Sequence, residues 1–326
     1  MEKKECLLTT YVAGEKYQAF IPLLVYSCKK AYPEYDIVLF LHETLNEEIR
    51  LCLKNANLYD QVTIMENVYN TGHALSAFQA EAMRWVLWND IFRCYKYLYI
   101  VDIDMFYIRE PIPLHVQHLM HMTTTMLPYD NLRRNLILDW RGIVRYIKNY
   151  KFRGLMMYPA LIWNIKTQVS QLSGLHFVEI NAVYTDAFIN RLEYYRNLII
   201  SNRPIKGLKA YNSECLLYLI MEESGYDNSK LAIQTNPTDM LPFSNPERSE
   251  FRPHHGIHLG IFRPGVICMI DKVKFIREIL DSDTYRYYIT KYKKIYDTME
   301  FQSFLSQMPQ TVLGYIERLN DYYNIK

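Results

Sequence analysis

Two aspartates, Asp102 and Asp104, interrupt the apolar run YKYLYIVDIDMF at positions 95–106. Burying an unpaired carboxylate is costly, so a strand carrying two of them needs a reason. On an extended chain, residues i and i+2 point to the same side, and the two carboxylates would converge. Convergent carboxylates repel unless a shared proton or a cation lies between them. A divalent metal is the simplest occupant, and oxygen ligands favour Mg²⁺ or Mn²⁺. Far downstream, HHGIHLGIFRP at positions 254–264 sets His254, His255 and His258 beside Gly260 and Arg263. Histidine there could ligate a metal, and arginine could grip a phosphate. Arg84, eighteen positions before Asp102, could do the same or be a surface arginine. Glu214, in YNSECLLYLIM, reads as a carboxylate at a helix N-terminus.

The surrounding pattern says where these groups would sit. Strands are expected at Cys6–Val12, Tyr35–Leu41, Gln61–Met65 and Tyr97–Ile103. Helices are expected at Phe20–Ala31, Leu45–Asn55 and Ser76–Trp88, between them. Strands alternating with helices imply an α/β fold with a mostly parallel sheet flanked by helices. Asp102 and Asp104 then fall at the carboxyl end of the fourth strand, where open α/β sheets gather ligands. The second half is less regular. Leu155–Ile165 reads as a strand interrupted by Pro159, Tyr184–Asn197 and Ser213–Glu223 as helices, and Asn236–Pro253 as an ordered loop. No internal boundary is clean before residue 265. We therefore expect one domain over 1–265 and a polar, tyrosine-rich helical extension over 266–326.

Composition narrows the functional class. Half of the 326 residues are hydrophobic and 22% are charged, which predicts a large folded core. A net charge of +2 is too mild for a nucleic-acid surface. The 29 tyrosines suit sugar, nucleotide or interface contacts, or merely reflect coding bias. Six scattered cysteines without a C-x-x-C pair speak against zinc and for reduced thiols. With neither a signal-like N-terminus nor a long apolar run, a cytoplasmic setting is expected, with peripheral contact at the inner face of a membrane an option. The lysines and arginine at 272, 274, 277, 291, 293 and 294 could serve that contact, or simply be a solvated helix face.

A D-x-D after an apolar strand has two main owners. Haloacid-dehalogenase-type phosphatases carry it on the first strand, followed by a different residue pattern than Met105-Phe106. The other owners are nucleotide-sugar glycosyltransferases of the GT-A fold. This sequence resembles those, and within them the retaining family 8 that includes glycogenin and bacterial lipopolysaccharide galactosyltransferases. Four stretches carry the resemblance: LLTTYVAGEKYQAFIPLLVYSC, SAFQAEAMRWVLWNDIFRCYKYLYIVDID, YNSECLLYLIM and HHGIHLGIFRP. It implies that Thr9, Thr10 and Tyr11 line the uracil and ribose pocket, with Tyr11 stacking on the base. It implies Arg84 on the donor and Asp102 on ribose and metal. Asp104 and a histidine complete the metal ligands, and Gly260 and Arg263 meet the phosphates. The family's H-x-x-G-x-x-K-P becomes H-x-G-x-x-R-P here, which leaves His258 or His255 as the ligand. The family's glutamine is missing near Asn212-Ser213-Glu214, and its Asn-Ala-Gly segment reads as Pro159-Ala160-Leu161.

The expected activity is metal-dependent hexosyl transfer from a UDP-sugar to a saccharide or lipid-linked hydroxyl, with Mn²⁺ or Mg²⁺ as cofactor. Polysaccharide biosynthesis is the expected setting. Glu214 and Asp186 are the candidate catalytic carboxylates. Asp130, Arg133 and Arg134 fall where acceptor contacts are usual. Retention is the first expectation. Alternatives are an inverting transferase with Glu214 as base, a catalytically inactive binding or scaffold protein of the same fold, and a nucleotidyltransferase. The last would want a glycine-rich phosphate loop, and only Gly14 is near the first strand.

Overall fold

Strand β1 (Lys4–Val12) is the axis around which the rest is laid down, in a computed structural model that describes residues 3–70, 72–138, 167–208, 212–231, 233–234, 256–264 and 280–325. The chain continues through α1 (Glu15–Gln18), α2 (Ile21–Ala31), β2 (Asp36–Leu41), α3 (Glu47–Asn55), β3 (Thr63–Met65) and α4 (Ala77–Met83). A 3-10 turn over Arg84–Val86 follows, then β4 (Tyr95–Ile100), β5 (Met105–Tyr107), α5 (Leu114–Thr125), β6 (Tyr129–Asp130), β7 (Arg133–Leu138), β8 (Thr167–Leu172) and β9 (His176–Glu179). The remainder is α6 (Ile180–Val183), α7 (Asp186–Ile200), α8 (Ser213–Glu223), β10 (Ile233–Gln234), β11 (Gly256–His258), α9 (Asp283–Tyr296), α10 (Met299–Leu305) and α11 (Gln310–Tyr323).

The main sheet has the order β3-β2-β1-β4-β9-β6. Its first four strands are parallel, and β9 and β6 add an antiparallel edge. The central strands are buried on both faces, which is why they read as nearly unbroken apolar runs. Helices cover both faces. One core cluster joins Cys6, Leu8 and Val12 to α2, α3 and β5, and the other joins Leu7, Leu98 and Ile100 to α4, α7 and α8. Helix starts follow local chemistry. Asn46 accepts from the Glu48 amide to begin α3, and Ser76 and Gln79 form a reciprocal capping box on α4.

Strand β4 stops at Ile100, which pairs with Thr9, and the Val101 amide still donates to the Thr9 carbonyl. Asp102 and Asp104 thus lie just beyond the sheet rather than inside the last strand residues. The turn they occupy leads into β5, which pairs antiparallel with β11 and brings His258 opposite Met105. Gly256 sits opposite Tyr107, and a β-carbon there would collide with the Phe106 carbonyl. Only glycine permits that backbone approach.

The C-terminal helices share the core of the rest. Tyr285, Tyr288, Tyr292, Phe301 and Leu319 are each 0% exposed and belong to the cluster that contains α2. Phe20 meets Tyr315 edge to face at 5.2 Å, and Tyr26 stacks on Phe304 at 4.5 Å. The tail reads as polar on average because its solvent face is rich in Lys, Asp and Glu, while one stripe of tyrosine and phenylalanine turns inward. Residues 155–165, with Pro159-Ala160-Leu161, lie outside the described residues, as do 236–253, Lys272, Lys274 and Arg277.

Candidate active site

Asp104 and His258 meet at the loop that the β5–β11 pair closes. His258 Nε2 is 3.2 Å from Asp104 Oδ1, and the Leu259 amide donates to the Asp104 carbonyl at 2.9 Å. Burial alone would raise the Asp104 carboxyl, but the charge and hydrogen bond of His258 outweigh it and hold the group below the usual range. Burial alone would lower His258, and Asp104 in turn raises it above the ordinary imidazole value. Gly260 faces the pair: a β-carbon on it would lie 2.5 Å from Asp104 Oδ2 and 3.0 Å from His258 Nε2. Glycine therefore leaves open the space in front of one carboxylate oxygen and one imidazole nitrogen.

Asp102 takes a different partner. Its Oδ1 accepts from Arg84 Nη1, and Arg84 is buried with its guanidinium 4.2 Å above the Trp85 ring. The free side of this pair faces Gly174. A β-carbon there would stand 3.0 Å from Asp102 Oδ2, 3.3 Å from Glu214 Oε1 and 3.4 Å from Arg84 Nη2. Glu214 opens α8, where Asn212 caps the helix by accepting from the Glu214 amide at 2.7 Å. Two carboxylates and one guanidinium thus converge on a single glycine.

The rim carries further charge. Glu81 is solvent-exposed. Partial desolvation raises its carboxyl; Arg84 pulls it down, while Glu214 and Asp102 push it up. Tyr17 is 42% exposed, and its phenol is raised by desolvation and then by Asp104 and Glu81, with Arg263 opposing. Arg263 itself is exposed.

This geometry accommodates a divalent cation in a restricted way. Asp104 and His258 would offer one oxygen and one nitrogen, a mixed donor set whose carboxylate suits Mn²⁺ or Mg²⁺ and whose imidazole favours the transition metal Mn²⁺ of the two. Such ions keep several positions for water and phosphate oxygens, so two protein ligands suffice. Asp102 is not brought into that set. Its carboxylate is engaged by Arg84, and among the described residues no group of three His, Cys, Asp or Glu converges. Between the two candidate histidines, His258 is the one placed on Asp104; His254 and His255 lie outside the described residues.

Other expectations need correction. Thr9 and Thr10 do not line an open pocket: they are 0% and 2% exposed, and the Thr9 hydroxyl donates to the Val38 carbonyl at 2.7 Å. The Tyr11 ring lies in the core at 5% exposure, with its hydroxyl 2.8 Å from both the Val68 carbonyl and His42 Nδ1. Stacking on a base needs an exposed ring face, which this ring does not present. Asp186 is not among the residues that this geometry brings together. Strand β9 runs antiparallel to β4, from His176 beside Ile100 to Glu179 beside Tyr97, and so carries the chain away from Asp102. Asp186 emerges at the far end of the sheet as an exposed acid in the first turn of α7, where it favours the helix dipole. Asp130 is 0% exposed and sits 2.8 Å from His118 Nδ1, a buried pair rather than an acceptor contact.

Sequence reasoning missed Glu81 and Gly174. The dipeptide Ser173-Gly174 between two strands was a readable turn signal, but nothing local tied it to Asp102.

No family model matches this sequence, and no curated protein matches it. Solved structures overlap with its chain path. The mannosyltransferase Ktr4p from S. cerevisiae does so over 61% of this chain and 62% of that one, short of two thirds, at 9% identity and TM-score 0.38. Its complex with GDP overlaps over 71% and 69%, at 8% identity and TM-score 0.43. Core-mannan synthase A (CmsA/Ktr4) from Aspergillus fumigatus, in a Mn/GDP form, overlaps over 67% and 70%, at 8% identity and TM-score 0.37. The galactosyltransferase LgtC, with donor and acceptor sugar analogs, overlaps over 70% and 72%, at 12% identity and TM-score 0.36. All these scores fall below 0.5, so the chemistry proposed next rests on the residues themselves.

Proposed function

We propose that this chain is a GT-A-type glycosyltransferase that moves a hexose from a nucleotide-diphosphate sugar, UDP-hexose first, to a hydroxyl of a glycan or lipid-linked acceptor. The observation that carries the reading is the juxtaposition of Asp104, His258 and Gly260 beside the Asp102–Arg84–Glu214 cluster, all beyond the carboxyl end of β4. Asp104 and His258 would hold Mn²⁺ or Mg²⁺, which when bound offsets the negative charge that develops on the departing diphosphate. Arg263, exposed at the same mouth, adds a fixed positive charge for the phosphates. Gly260 lets them approach the backbone. Arg84 holds the Asp102 carboxylate, which is left to accept from a ribose hydroxyl. Glu214, at a helix N-terminus and next to Asp102, is the carboxylate available to the sugar or the acceptor hydroxyl. We read the transfer as retaining. If Glu214 instead deprotonates the acceptor in line, the outcome is inversion.

The setting we infer is surface-polysaccharide synthesis on the cytoplasmic side of a membrane, with Lys291, Lys293 and Lys294 exposed on α9 as the contact. The deciding experiment is a screen of UDP- and GDP-sugars for hydrolysis or transfer with and without Mn²⁺. Metal-dependent turnover of one donor supports the reading, and the anomeric configuration of the product separates retention from inversion. No turnover, with no thermal shift from Mn²⁺ plus UDP or GDP, favours the catalytically inactive scaffold of the same fold instead.

A further inference from the structure

The loop that carries Gly174 is held by one buried amide. Asn131 is 2% exposed, and Ser173 is 0% exposed. Asn131 Oδ1 accepts from the Leu132 amide at 2.6 Å, the Ser173 amide at 2.7 Å and the Ser173 hydroxyl at 2.8 Å. Its Nδ2 donates to the Leu175 carbonyl at 2.8 Å and also reaches the Ser173 carbonyl at 3.4 Å and His176 Nδ1 at 3.2 Å. The Ser173 amide donates as well to the Leu132 carbonyl at 2.9 Å. One side chain thus satisfies the backbone on both sides of Gly174, and in a buried site such a network fixes a single conformation. Gly174, the residue so fixed, closes against Asp102, Glu214 and Arg84.

We propose that Asn131 and Ser173 are positioning residues: they clamp the Ser173–Leu175 turn so that Gly174, by lacking a side chain, sets where the carboxylates of Asp102 and Glu214 stand relative to Arg84. The clamp rests on the transferase reading for its consequence in turnover, although not for its geometry. It acts through the three charged side chains and touches no substrate.

Two variants test this. Gly174→Ala places a methyl against the movable ends of three side chains, so the protein folds and the charged groups shift. Ser173→Ala removes one hydroxyl of the clamp. Both are expected to lower kcat by about 10- to 100-fold, the scale of a sub-ångström misplacement, with the donor KM and the melting temperature nearly unchanged. Guanidinium ¹⁵N NMR of Arg84, read without any substrate, is expected to show hindered rotation in the native protein and its loss in both variants. Native-like Arg84 signals in Gly174→Ala and Ser173→Ala overturn the clamp, whatever the activity. A parallel fall in melting temperature and kcat also overturns it, by reducing the turn to a stability element. If the native protein transfers no sugar, the transferase reading fails and the NMR result still decides the positioning.

Discussion

His258 Nε2 stands 3.2 Å from Asp104 Oδ1 across a sequence separation of 154 residues. The hydrogen bond and the opposite charges of the two groups are what make the contact favourable. Asp104→Asn and His258→Gln should each abolish the thermal shift produced by Mn²⁺ with UDP or GDP, and should lower turnover by about 100-fold or more. Differential scanning fluorimetry and donor hydrolysis read the two effects. A full Mn²⁺ response in Asp104→Asn contradicts the assignment.

Arg84 and Asp102 form a largely buried ion pair, with side chains 11% and 22% exposed. Removing one member leaves the other uncompensated. Arg84→Met should cost about 2–3 kcal/mol, and the Arg84→Met/Asp102→Asn double variant should recover much of it. Urea denaturation of the four proteins of that cycle gives the coupling. Additive losses would mean the pair is not energetically linked.

Glu214→Gln should leave the helix start intact, because the Asn212 cap uses the Glu214 backbone amide and not its carboxylate. Turnover should nevertheless fall by about 100-fold or more, the range expected for a general base or an interaction made only at the transition state. Equal kcat in Glu214→Gln would move the sugar chemistry elsewhere.

His176 is 3% exposed, and burial lowers its pKa from 6.5 to about 3, with Asp130 offsetting and His118 adding to the fall. The folded protein thus keeps it neutral while the unfolded chain protonates below pH 6.5. Stability from this group is present above that pH and is lost as pH drops toward 3, at about 1.4 kcal/mol per unit. Unfolding midpoints from pH 7 to pH 4 should fall in the native protein and flatten in His176→Gln. An identical slope in both would contradict the buried neutral state.

Deleting residues 281–326 should unfold the protein rather than release a soluble core, since Tyr285, Tyr288 and Tyr292 fill the interior. Membrane contact is better tested by Lys291→Glu, Lys293→Glu and Lys294→Glu together, which alter an exposed face. Sedimentation with anionic vesicles should decrease without loss of melting temperature. Unchanged sedimentation removes the tail from membrane binding.

Much of this was legible in the sequence where the physics is local. The runs at 6–12, 35–41 and 97–103 announced buried parallel strands because both of their faces are covered. Asp102 and Asp104 were legible as a site because carboxylates in such a run need compensation. The place of Asp186, apart from the Asp102 cluster, was not legible, since a first-turn acid on a helix looks the same whether it serves the dipole or a substrate. Tyr11 was misread because a tyrosine at a strand end can turn outward or, as here, satisfy His42 and Val68 inside. Gly174 was invisible because its meaning lies in three side chains brought to it from the turn after α4, the turn after β4 and the start of α8.

The β5–β11 pairing has a bearing on biogenesis. Residues 105–107 find their partner only at 256–258. In a chain emerging from the ribosome the Asp104 half-site therefore waits for about 150 residues of further synthesis. Closing a loop of that length costs little more than closing a short one, since the entropy grows only with the logarithm of length. Competence is thus acquired late, only after translation has passed His258 and Gly260 and gone on to the C-terminal helices that complete the core, and a chain that stops before His258 lacks half of the proposed cation seat.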